Sequence, residues 1–410
     1  MSDLIVAGAG PAGCATAIAA ARAGLDVLVI DKADQFPRDK ACGDALTPRA
    51  VAALAGLGVD LPPQAHPVRG LIAWGLDQHC SQFCWPETAG LPPIGYTIRR
   101  RQLDDALLQA AVTAGARVEL GQPVTGLVLE RGRATGVVTA RGTHLAPVVV
   151  DATGASSRLG DAIGLPRLGS RPLGVAVRGY MTGDGGDDQW LHSWLALEGA
   201  DGVRLPGYGW VFPMGDGLFN VGVGQLSSSA SFRKTNYRQL LQDWVGGLGW
   251  RLAWSSGIAG AGLPMGIDRE ALYRRGVLLV GDAAGLVNPF NGEGVSYALQ
   301  SGLAAGLAVA RACAAGFSTP AGEAALQSYH HGVMAAFGHY FTAGNLFAAL
   351  MGHQTVLDAC LRYGLPLPLV MRPVNKLMAN LMALHGGPVD DRALRLLLAL
   401  ASGLRMSGPH

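Results

Sequence analysis

A short apolar run, Leu4 to Ala7, leads directly into the turn GAGPAG, and from there into the small-residue run CATAIAAARAG that closes at Gly24. A second apolar run, DVLVI, follows and ends at Asp31, 18 residues after Gly13. This order of strand, glycine turn, helix, strand and acid admits few folds, because each glycine has a separate steric task. Gly8 permits the tight turn, Gly10 lets a pyrophosphate approach the backbone, and Gly13 lets the helix pack closely on the strand. The helix N-terminus adds a positive dipole, and Asp31 can accept from ribose hydroxyls. The unit predicts a Rossmann-type domain for a dinucleotide, without separating NAD from FAD.

The segment GVLLVGDAAGLVNPFNGEGVSYALQSG, from Gly276 to Gly302, separates them. A buried strand over Val277 to Val280 is expected to end in Gly281-Asp282, and a helix to start at Val295 after NPFNGEG. A carboxylate at a strand end suits a hydroxyl-rich ribityl chain. Gly292 and Gly294 allow a helix N-terminus to face the electron-rich edge of a flavin ring. FAD is therefore the expected cofactor.

The stretch GYGWVFPMGDGLFNVGVG, from Gly207 to Gly224, sets Tyr208, Trp210 and Phe212 at period two, so one strand face carries all three. With HPVRGLIAWGL and PLGVAVRGYM it predicts antiparallel strands forming a separate sheet that covers the cofactor. Tyr208, Trp210, Phe212 and Pro213 are expected to line a substrate cavity there. The chain holds 410 residues, enough for two or three domains. The expected division is 1–65, 99–165 and 271–320 for a discontinuous FAD-binding domain, 66–98 and 166–270 for an antiparallel substrate domain, and 321–410 for a helical C-terminal region. The fold class is α/β, with an α+β substrate domain.

Charge and cysteine content narrow the partners. A net charge of +2, with no Lys/Arg run longer than the three arginines at 99–101, argues against nucleic acid as a main partner. Six cysteines lack regular spacing, and Cys80 with Cys84 makes only a lone C-x3-C, so no metal site is expected. The first residues enter LIVAGAG at once, which leaves no room for a signal peptide and predicts a cytoplasmic protein. The mean hydropathy of +0.26 is high for a soluble enzyme. From residue 324 to 357 there is no Asp, Glu, Lys or Arg, yet His330, His331, His339, Asn345 and His353 interrupt the run too often for a membrane span. Further on, Val374, Leu377, Met378, Leu381 and Met382 recur at helical spacing and predict one apolar face. These features are read as a peripheral contact with the inner face of the cell membrane, or as a lipid tunnel.

Three blocks resemble the geranylgeranyl reductase family of FAD-dependent enzymes with the hydroxybenzoate-hydroxylase fold. They are FPRDKACGD at Phe36 to Asp44, the YGWVFP stretch with its later G-x-G, and GDAAGLVNPFNGEG. CGDALTPRAV, GVAVRGY and LPGYGWVFP look especially like the actinobacterial menaquinone reductases, which saturate a prenyl double bond of the quinone tail. The resemblance implies that Gly8, Gly10, Pro11, Ala12, Gly13, Asp31 and Lys32 hold the ADP half of FAD. It implies that Arg100 touches the cofactor, that Gly281 and Asp282 bind the ribityl or pyrophosphate, and that Gly292, Glu293, Gly294 and Val295 meet the isoalloxazine. Cys42 and Gly43 would border the flavin ring, with Cys42 a proton donor or polarising group and Tyr208 and Trp210 beside it as further catalytic candidates. The implied substrate is a hydrophobic prenyl lipid.

One departure bears on the electron donor. Many relatives carry an Asp-Gly pair before a Ser, whereas this chain reads VVVDATGASSRLG, with Thr153 in the Asp position. NADPH or an electron-donor protein both stay open. The rival activity is a flavin monooxygenase or halogenase acting on an aromatic compound. A non-catalytic electron carrier would often bring an iron–sulfur module, for which the cysteines offer no spacing.

Overall fold

The computed structural model describes residues 2–88, 90–382 and 392. Leu4–Ala7, Val27–Ile30, Val148–Asp151 and Val277–Leu279 are buried along their whole length. Such continuous apolar runs belong in a parallel sheet covered on both faces. They form a six-stranded sheet in the order Tyr273–Arg274, Val277–Leu279, Val148–Asp151, Leu4–Ala7, Val27–Ile30, Arg117–Glu119, parallel except for its first pair.

Helix Pro11–Arg22 follows the first strand and packs on helix Val295–Ala315 at very short range. A Cβ on Gly302 would stand 2.2 Å from the Ala12 carbonyl oxygen, and one on Gly306 2.6 Å from that of Thr16. These two glycines, one helical turn apart, set the approach and bring the second cofactor block against the first.

The second sheet runs in the order Leu252–Trp254, Leu173–Gly183, Leu218–Leu226, Gly207–Pro213, Trp190–Trp194, Gly70–Trp74, Cys80–Cys84, and Ala259–Pro264 also pairs with Leu173–Gly183. Its two faces are distinct, as strand alternation requires. One buries Val211, Phe219, Val221 and Val223 under helix Tyr237–Gly247. Gly209 lies on that face, where a Cβ would come within 2.3 Å of the Trp244 ring. The other face gathers Trp210 and Phe212 with Tyr208, Leu191 and Val68.

The expectation of wholly antiparallel strands needs correction. Gly70–Trp74 pairs parallel with Trp190–Trp194, and His66–Val68 leaves this sheet for a small one with Gly95–Thr97 and Ala45–Leu46. More than a hundred residues separate the two parallel strands; such a connection is free to cross over, whereas a hairpin is not.

Two C-terminal expectations also change. Helices Val295–Ala315 and Pro320–Met351 are both long and apolar enough to cross a membrane, with hydropathies of 1.3 and 1.2, so the histidines do not exclude a span on composition. Packing accounts for much of that apolarity: Leu326, Tyr329, Val333, Phe337 and Phe341 form a buried stripe along the longer helix. The apolar face expected over residues 374–382 breaks at Met378, where helix Pro368–Met378 ends. Asn380 then takes φ +50, and Leu381 and Met382 turn inward as buried residues. The rest of the expected C-terminal region, beyond 382, lies outside the described residues except for position 392.

Candidate active site

One cavity of about 1720 Å³ joins the two sheets and the C-terminal helices. Its wall includes Gly10 and Asp31, which follow strands of the parallel sheet, Trp210 and Phe212 from the second sheet, and Met371 and Val374 from helix Pro368–Met378.

At the parallel sheet the wall is shaped as a cradle. Gly8 has φ +111, and a Cβ there would fall 2.3 Å from the Ala152 carbonyl. A Cβ on Gly13 would meet the Gly8 carbonyl at 1.8 Å, so the turn closes only on glycines. Gly13 and Gly281 stand behind the cavity wall and shape it, whereas Gly10, Pro11 and Ala12 line it. At Gly10 the only neighbour within contact range is an Arg38 guanidinium nitrogen at 3.5 Å, which leaves the backbone open to the cavity. Arg38 pairs with Asp104 at 3.4 Å, and its buried Nε has no hydrogen-bond partner among the described residues. Open backbone at a helix N-terminus beside a guanidinium with a donor to spare fits a pyrophosphate. The Asp31 carboxylate accepts from the Ala9 amide at 2.6 Å and the Ala33 amide at 2.8 Å, and it lines the cavity with Lys32. Its remaining lone pairs suit ribose hydroxyls.

The second block closes the opposite wall. Asp282 reaches Lys40 Nζ at 3.4 Å, and Gly292, Gly294 and Val295 line the cavity with it. Glu293 also lines the cavity, but its carboxylate caps the following helix, accepting from the Ser296 amide and hydroxyl at 2.7 Å each. The residues present fit FAD along both blocks. Arg100, a further lining residue, is held by Asp104 through two hydrogen bonds of 2.9 and 3.0 Å.

Cys42 sits on the loop between these walls. Its Sγ accepts from the Asp44 amide at 3.4 Å, and its carbonyl accepts from Asn220 at 2.8 Å. Burial pushes the Cys42 thiol up, with Arg100 opposing the shift, so the sulfur keeps its proton near neutrality. Gly43 lies against the aromatic strand, where a Cβ would stand 3.4 Å from the Phe212 ring. Tyr208 and Trp210 are both committed to hydrogen bonds. Tyr208 donates to the Asn291 carbonyl at 2.7 Å and is pushed up to about 12 by burial, and Trp210 donates to Asn220 at 2.9 Å. Gly222 makes room for the indole: a Cβ there would come 2.2 Å from it. Pro213 does not line the cavity. Alternation turns it to the other face, and its carbonyl accepts from Thr97 at 2.5 Å. Cys80 and Cys84 are exposed free thiols, and no metal-binding cluster occurs among the described residues.

Sequence reading missed the layer beneath Cys42. Asp44 is buried, with φ +63, and accepts from the Tyr180 hydroxyl at 2.6 Å, from Asn220 at 2.8 Å and from the Arg100 amide at 3.2 Å. Burial pushes its carboxyl up to about 6, against the lowering effect of those hydrogen bonds and of Arg178. Arg178 lies over the Tyr180 ring at 4.5 Å and pairs with Asp39 at 2.7 Å. The available signal was Asn220, a polar residue at an inward position between the apolar Phe219 and Val221 of its strand.

Comparison with known proteins agrees with this geometry. The family described as FAD binding domain matches residues 1–336. A menaquinone reductase of Mycobacterium tuberculosis is 43% identical over 311 residues, 73% of this chain and 74% of that one. A digeranylgeranylglycerophospholipid reductase of Methanopyrus kandleri is 34% identical over 317 residues, 74% of this chain and 79% of that one. A crystal structure of a geranylgeranyl bacteriochlorophyll reductase-like protein from Thermoplasma acidophilum superposes with a TM-score of 0.79 at 22% identity, covering 97% of this chain and 99% of that one. The chain belongs to the FAD-binding domain family of flavoproteins, in its geranylgeranyl reductase branch, and its cofactor is FAD.

Proposed function

We propose that this protein is an FAD-dependent reductase that saturates a C=C bond in the prenyl chain of a lipid, with menaquinone as the favoured substrate. One observation carries the reading. A single cavity is lined by the dinucleotide cradle, by Tyr208, Trp210 and Phe212, and by the apolar side chains of Leu361, Met371 and Val374. Such a wall suits a flexible hydrocarbon better than a small polar aromatic. The M. tuberculosis relative, at 43% identity, is itself a menaquinone reductase.

Reduced FAD, when bound, supplies a hydride to one alkene carbon. The protein's share is the second hydrogen and the geometry. Cys42 Sγ, protonated and lining the cavity, donates its proton to the other alkene carbon and recovers one from solvent. Trp210 and Phe212 hold the isoprene unit and exclude water. An unactivated alkene develops no enolate for a charged group to stabilise, so positioning dominates. Arg38, Asp31 and Asp282 anchor the cofactor. The electrons arrive from NADPH or from a partner reductase. The Asp-Gly segment of relatives is replaced here, and Thr153 donates instead to Asp151 at 2.7 Å. This reading makes the protein cytoplasmic, with a peripheral contact at the inner face of the cell membrane as the route of its substrate.

Mass spectrometry of lipid quinones from cells with and without the gene tests the substrate. Loss of the species with one more saturated isoprene unit is the expected result. An unchanged quinone profile, with turnover of a small aromatic by the purified protein, would replace this reading with a monooxygenase or halogenase.

A further inference from the structure

The segment from Cys360 to Met378 has two apolar faces, and among the described residues only one has a partner. On the inner face, Leu365 and Met371 pack on Ala73 and Phe83 of the antiparallel sheet. Ser81 Oγ donates to the Leu365 carbonyl at 2.9 Å, and a Cβ on Gly75 would fall 2.1 Å from the Leu365 side chain. The segment is thus fixed to a rigid sheet. On the outer face, Tyr363, Leu367, Leu369 and Val370 are exposed, Tyr363 to 67% and Leu369 to 87%. Four large apolar side chains within eight residues exceed the scattered exposure ordinary on a soluble surface.

Charge selects what covers this face. Between residues 359 and 382 the chain carries Arg362, Arg372 and Lys376 and no acidic residue. The preceding acid, Asp358, is held by Arg204 at 2.5 Å. Exposed apolar side chains interleaved with cations are what an anionic lipid surface binds: the chains enter the acyl boundary while the cations meet phosphate. A protein partner of ordinary composition would have no use for the uniform sign.

The outer face is also continuous with the cavity. Val370 and Arg372 are exposed and line it, and Cys360, Leu361 and Gly364 line it from the same segment. We propose that residues 360–376 form a docking lip that seats on anionic phospholipid and holds the mouth of the cavity against the bilayer. A prenyl tail then passes from membrane to cavity without crossing water. The inference rests on reading the cavity as a tail channel, and it adds the surface, its orientation and the lipid chemistry.

Vesicle co-sedimentation of the FAD-loaded full chain tests it, with vesicles that contain no quinone. Pure phosphatidylcholine is compared with equal parts phosphatidylcholine and phosphatidylglycerol. Wild type is expected to bind the anionic vesicles and to leave them as salt is raised. Arg362→Gln with Arg372→Gln should lower that partition by roughly tenfold or more. Leu369→Ser with Leu367→Ser should lower it by a similar factor on both vesicle types. Arg362, Leu367 and Leu369 are exposed and lie off the cavity wall, whereas Arg372 stands at its rim, so FAD content is measured for each variant and partition is compared at equal FAD occupancy. No binding of wild type to anionic vesicles, or equal binding by the variants, overturns the proposal. A wild-type dimer that the leucine variants dissociate, without vesicle binding, overturns it in favour of a protein interface. Alkene reduction in detergent is measured separately, so failure of the activity and failure of the docking are told apart.

Discussion

The Tyr180 hydroxyl donates to the Asp44 carboxylate at 2.6 Å, and that buried acid shares Asn220 with the Cys42 carbonyl and the Trp210 indole. One amide therefore ties the proton-bearing loop to the aromatic wall, with Asp44 as the residue that positions both. Burial raises the Asp44 carboxyl to about 6. An acid whose folded pKa lies above its unfolded value binds its proton more tightly in the folded state. Its contribution to stability is present below about pH 4 and is lost as pH rises through about 6. The melting temperature of wild type relative to Asp44→Asn should fall across that window, by the equivalent of a few kcal/mol at most. A difference that stays constant from pH 4 to 7 would show that the carboxyl is ionised throughout.

Replacing Cys42 by Ser keeps the loop size and removes the sulfur. FAD should stay bound. Single-turnover oxidation of the reduced enzyme by alkene should slow by about 10²–10⁴-fold, the usual range for loss of a general acid. A change of less than about threefold would assign the proton to water and leave Cys42 as a residue that fills a tight turn.

Legibility in the sequence followed periodicity and sterics. The glycine turn, Asp31 and the strand before Asp282 could be read because each glycine there answers a backbone demand visible in one short stretch. The face carrying Tyr208, Trp210 and Phe212 followed from period-two alternation, and the same rule places Pro213 on the opposite face. The parallel pairing of Gly70–Trp74 with Trp190–Trp194 could not be read, because register across a long connection is not a local property. The end of helix Pro368–Met378 was hidden because Leu381 and Met382 continue the apolar spacing. Asp44 and Tyr180 stood inside recognised blocks, yet their contact joins residues 136 positions apart.

The cradle glycines separate cofactor binding from folding. A Cβ on Gly13 would collide with the Gly8 carbonyl at 1.8 Å, whereas one on Gly10 meets nothing closer than Arg38 at 3.5 Å. Gly13→Ala should therefore lower the melting temperature of the apoprotein. Gly10→Ala should leave apoprotein stability within about 0.5 kcal/mol of wild type and yet weaken FAD binding by at least about tenfold. Thermal melts without cofactor, with titration of FAD fluorescence, read the two effects. Equal FAD affinity for Gly10→Ala and wild type would place the pyrophosphate elsewhere.

The indole of Trp210 has two roles that substitution can divide. Its ring lines the cavity, and its Nε1–H donates to Asn220 at 2.9 Å. Trp210→Phe removes the donor and keeps most of the ring, so it tests the tie to the Cys42 loop. Trp210→Ala removes both. A large aromatic buries about 150–250 Å² with its neighbours, worth several kcal/mol at about 25 cal/mol per Å². Loss of that area should lower kcat/KM for a long prenyl substrate far more than for a truncated, water-soluble analogue, because only the long chain spans the aromatic wall. The Phe variant should lower both by the same modest factor, as expected if it loosens the proton-bearing loop and leaves chain binding intact. The measurement is kcat/KM for the two chain lengths in wild type and both variants, at constant detergent and with FAD content checked. Equal losses for both chain lengths in Trp210→Ala would mean that the ring supports the flavin region and makes no contact with the tail.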